Sequence, residues 1–172
     1  MDKNTQMKTN ISKRSCQRRS ASMERDFAVL KPMWKAYIQE IGEIEEDLIS
    51  EGELKKRIQV SEKMEQIFFD MIEMKEKVIG FVFYSVDGGI KELIPAGYGY
   101  IMEVYVLPEY RRQHIAAAVV DELCEYFRKK KCPKIYLTPA ESGVAFWEKM
   151  GFANSKLSDP DNHLDIYMKT LC

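Results

Sequence analysis

Residues 103–117 read Glu103-Val104-Tyr105-Val106-Leu107-Pro108-Glu109-Tyr110-Arg111-Arg112-Gln113-His114-Ile115-Ala116-Ala117. An extended, β-branched run stops at Pro108, which cannot donate a ladder hydrogen bond. A short polar loop follows, then a helix that opens on small residues. The first backbone N–H groups of such a helix lack internal partners, and the helix dipole adds partial positive charge beside them. Ala116, Ala117 and Ala118 leave room for a ligand to reach that backbone, while Arg111, Arg112 and His114 add donors. The pattern predicts a strand–turn–helix anion site suited to a phosphate.

The periodicity on either side supplies the rest of the fold. Upstream, Phe27, Leu30, Trp34, Ile38 and Ile41 recur at helical steps, which predicts a helix over residues 23–41, capped by Ser22 and stopped by Gly42. A second helix is expected over about residues 45–60, with Leu48, Leu54 and Ile58 inward. Residues 66–71 and 78–86 read as two strands of a hairpin that turns at about 74–77 and ends at Asp87-Gly88-Gly89. Residues 98–107 form the next strand, with Ile101, Glu103 and Tyr105 expected on one face and Met102, Val104 and Val106 on the other. Downstream come a long helix over about 113–130, a short strand at 134–138, a short helix at 143–150 capped by Gly151, and a final hairpin from Phe152 through 164–168. A first strand is expected near residues 10–15. The order is strand, two helices, three strands, helix, strand, helix, two strands. The strand–helix–strand unit from Tyr98 to Thr138 requires one parallel pair, and the hairpins require antiparallel pairs. The predicted class is α/β (α+β), a mixed and mostly antiparallel sheet with helices on both faces.

Composition narrows the function classes. At 172 residues the chain is read as a single domain over 1–172, with a flexible basic segment at 1–9. Apolar residues are 45% and charged residues 31%, a globular profile that needs no disulfide or metal staple. Formal net charge is −1, which argues against nucleic-acid binding by overall charge. Residues 1–25 hold seven basic side chains, yet no aromatic residue is interleaved before Phe27, so no nucleic-acid partner is expected. The longest apolar run is too short to span a bilayer, and no secretory leader is read, so no membrane partner is expected and the cytosol is the expected compartment. The four cysteines fit no zinc module and Cys124 reads as a small apolar filler; the two histidines are too far apart to suggest a metal site. From Glu40 to Glu53 there are seven acids and no lysine or arginine. Such a segment reads as a solvated surface or as a rim that concentrates cations.

The quoted stretch resembles the acetyl-CoA-binding motif of the GNAT N-acetyltransferase superfamily. That motif has a strand ending in Val-x-Pro, then Arg or Gln-x-x-Gly-x-Gly or Ala, then a helix; here Val106-Leu107-Pro108 is followed by Arg111 at the first position and Ala116 at the last. A second block, Ala145-Phe146-Trp147-Glu148-Lys149-Met150-Gly151-Phe152, resembles the family's aromatic-x-Lys-x-Gly-Phe helix before the last hairpin. Three positions depart. His114 stands at the family's central glycine, Trp147 where many members carry a thiolate-protonating tyrosine, and Ala140 where a polar residue is usual. Indole nitrogen cannot act as that acid.

The resemblance implies a splayed parallel strand pair at the centre of the sheet, with the pantetheine arm of acetyl-CoA as cosubstrate along Val104, Tyr105 and Val106. Arg111, Arg112, Gln113, His114, Ile115, Ala116, Ala117 and Trp147 complete the implied coenzyme site, with no metal. It implies direct attack of a primary amine, of a small molecule or peptide, on the thioester. Backbone N–H groups near Val104–Val106 would face the oxyanion. Glu103 would act as base, Tyr105 as acid or pocket wall, and Tyr136 as a weaker acid candidate. By the same resemblance the acidic segment borders the acceptor, which suits a cationic amine, and a homodimer is one assembly open to the chain. The alternative is a non-catalytic acyl-CoA-binding or regulatory domain, the reading that Trp147 and His114 favour.

Overall fold

The computed structural model describes residues 16–42, 46–86 and 88–171. In chain order it contains β1 (Cys16–Ser20), α1 (Met23–Glu40), α2 (Asp47–Lys63), β2 (Ile67–Met74), β3 (Lys77–Val86), β4 (Gly99–Val106), a 3-10 turn (Pro108–Tyr110), α3 (Ile115–Lys129) and β5 (Lys134–Leu137). A second 3-10 turn (Glu141–Gly143), α4 (Val144–Lys149), β6 (Ala153–Ser158) and β7 (Asp165–Thr170) follow. The element order is the one expected. The first strand differs in position: residues 10–15 lie outside the described residues, and the described strand begins at Cys16. The N-cap of α1 also works differently. Ser22 sits at the cap without a side-chain bond, and its N–H is instead accepted by Asp26 at 2.8 Å.

All seven strands form one sheet in the order β1-β2-β3-β4-β5-β7-β6. Every neighbour is antiparallel except β4 and β5, which run parallel. The parallel contact is brief: Gly99 pairs with Ile135 and Tyr100 with Tyr136, and no further pairs form. From Ile101 onward β4 has a neighbour on one edge only. The sheet divides the core. On one face α3 buries Val119, Val120, Leu123 and Phe127 against Ile72, Val82 and Ile135. On the other, Leu30 and Trp34 of α1 and Leu54 and Ile58 of α2 pack on Phe69, Phe81 and Tyr105. Cys124 is buried with its thiol free, as a filler should be.

Two glycines set how closely these layers approach. A Cβ on Gly80 would sit 2.2 Å from the Tyr105 carbonyl oxygen, and one on Gly99 would sit 2.7 Å from the Phe127 ring. Only residues without a side chain allow β3 to meet β4, and α3 to meet β4, at these points.

The expected alternation along β4 is broken by a bulge. Glu103 pairs with Phe83 while Ile101 pairs with Tyr84, so Met102 has no partner across the ladder. Ile101 therefore packs in the α3 core with Val104 and Val106, whereas Met102 packs in the α1–α2 core with Tyr105. An inserted residue breaks the strict two-residue period, which is why Ile101 and Met102 exchange the faces expected of them.

Candidate active site

The divergence of β4 from β5 opens a cleft of about 730 Å³. Its walls come from β4, the turn after it, the start of α3, the end of α1, the loop after β5, and α4. Leu107 donates its N–H to the Ile79 carbonyl on β3 at 2.8 Å. Alternation along the strand then turns the backbone groups of Val106 and Val104 to the unpaired edge. There Arg111 Nε donates to the Val106 carbonyl at 2.9 Å.

At one end of the cleft lies the turn read from the sequence. Arg112 and His114 both carry φ of 60°, the left-handed region. His114 is the N-cap of α3, with ψ of 21°. A positive φ favours glycine at this position, and histidine tolerates it better than most residues that carry a side chain. Ala118 N–H is the first to close the helix, onto the His114 carbonyl at 3.0 Å. The N–H groups of Ile115, Ala116 and Ala117 are thus the unclosed ones at the helix start. All three residues, with Arg111, Arg112 and His114, line the cleft, but Gln113 does not.

Glu103 and Tyr105 line the same cleft. The Glu103 side chain is only 12% exposed, and its Oε1 accepts from Arg57 Nη2 at 3.2 Å. Tyr105 packs against Tyr37 and Phe81, each ring at 5.6 Å, with the Arg111 guanidinium 5.3 Å over its face. Burial pushes the Tyr105 hydroxyl above its ordinary pKa, and Glu40 adds to the effect. Val104, Val106 and Trp147 also line the cleft, as does Ala140. Tyr136 does not: its hydroxyl accepts from Gly89 N–H at 2.8 Å and its ring stacks on Tyr100.

Several residues at the site were not read from the sequence. Tyr37 and Ile41 line the cleft from α1, and Arg57 braces Glu103 from α2. Tyr37 falls between core positions of the α1 stripe. Arg57 lies four residues after Glu53, a spacing with several meanings on a helix. The acidic segment is partly neutralised. Glu40 accepts from Arg111 Nη2 at 2.7 Å, Glu51 meets Lys31 at 2.9 Å and Glu53 meets Arg57 at 2.7 Å. Glu43 and Glu45 lie outside the described residues, as does the side chain of Leu48. No helix among the described residues is long and apolar enough to cross a membrane.

Comparison with known proteins gives one consistent pattern. A family model described as "Acetyltransferase (GNAT) family" matches residues 31–152. A glucosamine 6-phosphate N-acetyltransferase from Trypanosoma brucei brucei is 41% identical over 54 residues, which make up 31% of this chain and 37% of that protein. The matched stretch is thus little more than a third of the relative's length. Among solved structures, the PaiA N-acetyltransferase from Thermoplasma acidophilum in complex with coenzyme A superimposes with a TM-score of 0.66 at 23% identity, covering 91% of this chain and 99% of that one. A predicted acetyltransferase with acetyl-CoA from Clostridium acetobutylicum gives 0.67 at 21% identity, covering 86% and 96%.

Proposed function

Because the chain belongs to the GNAT acetyltransferase family, we propose that it transfers the acetyl group of acetyl-CoA to a primary amine of a small molecule or peptide by direct attack. The observation that carries this is one cleft lined both by the left-handed turn and α3 N-terminus and by Glu103 and Tyr105. The residues present suit the coenzyme. Three unclosed N–H groups beside small side chains fit a pyrophosphate. The unpaired edge at Val104 and Val106 offers backbone donors and acceptors to the pantetheine amides. Arg111, Arg112 and His114 flank the phosphates, and Trp147 walls the cleft.

In the reaction, Glu103 takes a proton from the arriving ammonium, directly or through one water, so that nitrogen has a lone pair to attack with. An N–H on the β4 edge donates to the oxygen as negative charge develops there. Tyr105, kept protonated by burial, returns a proton to the departing thiolate, the task for which Trp147 is unsuited. Glu40 lies where a cationic acceptor would arrive, once released from Arg111.

A second reading, an acyl-CoA-binding domain without turnover, is favoured by one observation: the tryptophan that lines the cleft where many members of the family carry an acid. Thioester consumption measured with acetyl-CoA and a panel of diamines, amino sugars and short peptides separates the two. Amine-dependent release of free coenzyme A supports transfer, and ligand-induced stabilisation without release supports the second reading.

A further inference from the structure

Arg57 stands behind Glu103, outside the walls of the cleft. It is held from three directions. Nη1 donates to Glu53 Oε2 at 2.7 Å and Nη2 donates to Glu103 Oε1 at 3.2 Å. The guanidinium lies 4.9 Å over the Trp34 ring and 5.7 Å from that of Phe83. Its side chain is 25% exposed, so most of this contact is out of water. A glutamate on a strand has three rotatable bonds and would sample several positions at a cleft wall. A stacked, forked guanidinium restricts it to one, and lysine cannot reproduce either the fork or the stacking.

We infer that Arg57 is the positioning residue for the proton acceptor, clamping the Glu103 carboxylate against the bulged strand while Glu53 fixes the clamp. The inference rests on the reading of Glu103 as base. Arg57 would touch neither amine nor coenzyme, so its effect passes through Glu103. The charge chain gives it a signature that packing alone lacks. A guanidinium beside a carboxylate favours its ionised form, and a second carboxylate beside that guanidinium opposes the effect. Arg57 of α2 touches the Glu103 carboxylate, with Glu53 on the far side of Arg57, and Tyr100 and Tyr105 lie on the same strand; Tyr37 and Glu40 of α1 and Arg111 of the turn line the same cleft.

The test is a pH titration of the Glu103 side-chain carbon by NMR in the full chain labelled with carbon-13 glutamate, its signal assigned by its loss in Glu103→Gln. Arg57→Met should move the midpoint up by about one unit or more. Glu53→Gln should move it down, and Arg57→Lys, which keeps the charge without the fork or the stacking, should recover only part of the shift. An unmoved midpoint in Arg57→Met overturns the inference, as does an upward move in Glu53→Gln. Should Arg57→Met not fold, Glu53→Gln decides: a downward move supports the clamp and no move overturns it. Turnover of the Glu103→Gln variant with the amine panel separates this from the reading beneath it. Full turnover there removes Glu103 as base, even if the midpoints shift as stated.

Discussion

His114 holds φ of 60° at the point where the turn after β4 enters α3. A left-handed conformation costs an ordinary residue roughly 1–2 kcal/mol, and a glycine gives back about 0.5–1 kcal/mol of that through its looser unfolded chain. His114→Gly should therefore raise unfolding free energy by about 0.5–1 kcal/mol, read as a higher urea midpoint, and His114→Ala should not. Calorimetric titration with coenzyme A on the same variants reports the side chain's role. Tighter binding in His114→Gly means that the imidazole crowds the phosphates, and weaker binding means that it donates to them. Glu103→Gln keeps the shape of the side chain and removes its basicity. Turnover should fall about 10²–10⁴-fold, the usual span for general-base catalysis, with coenzyme A affinity little changed. The loss should shrink at high pH, where more amine arrives neutral. Unchanged turnover near neutrality would leave Glu103 a structural role only.

At the level of elements, the register of β3 on β4 decides where the reactive edge lies. Gly80→Ala would place a methyl 2.2 Å from the Tyr105 carbonyl, a distance that backbone must move to relieve. Overpacking of this kind costs about 1–3 kcal/mol. Because β4 is the strand displaced, coenzyme A affinity should fall along with the urea midpoint; a variant that loses stability while keeping affinity would place the strain on β3 instead. This register also marks what the sequence could and could not disclose. The two family-like blocks at 103–117 and 145–152, the crossover and the element order are local patterns, each legible in its own stretch of sequence. The bulge at Met102 left no such mark, because an inserted residue in a β-branched run looks like any other residue until its partner strand is known. Arg57 was illegible for a related reason. Its pairing with Glu103 spans 46 positions, and nothing in a helical repeat says which strand residue it will face. Arg18 and Arg19 show the same limit. They belong to the basic stretch of residues 1–25, and nothing near them in sequence shows that Arg18 pairs with Asp70 and Glu122, or Arg19 with Glu73 as well as Asp26.

Across the whole molecule, the edge strand β1 is fastened to α1 by buried charge. Asp26 is 2% exposed, accepts both guanidinium arms of Arg19 at 2.9 Å, and also takes the Ser22 N–H. Burial opposes its charge, but Arg19 and the Ser22 amide outweigh burial and hold the carboxyl below its ordinary value. The folded state thus binds the proton less readily than the unfolded one. The contribution is complete above the unfolded value of about 3.9 and is lost as pH falls through the lower folded value. Urea midpoints followed from pH 6 down to 2 should fall less steeply in Asp26→Asn than in the wild type, from a starting point lower by roughly 1–3 kcal/mol. Parallel slopes would mean that the carboxylate does not couple folding to pH. The unpaired side of β4 bears on the molecule in another way. Exposed strand edges are where proteins join one another into aggregates. Here the open run is short, is cut off by Pro108, and lies along a cleft walled by α3 and α4. A neighbouring polypeptide would find too few rungs to dock a strand, whereas a slender ligand with two amides would find enough. The chain can thus leave β-sheet bonds unsatisfied for a small molecule without offering them to copies of itself.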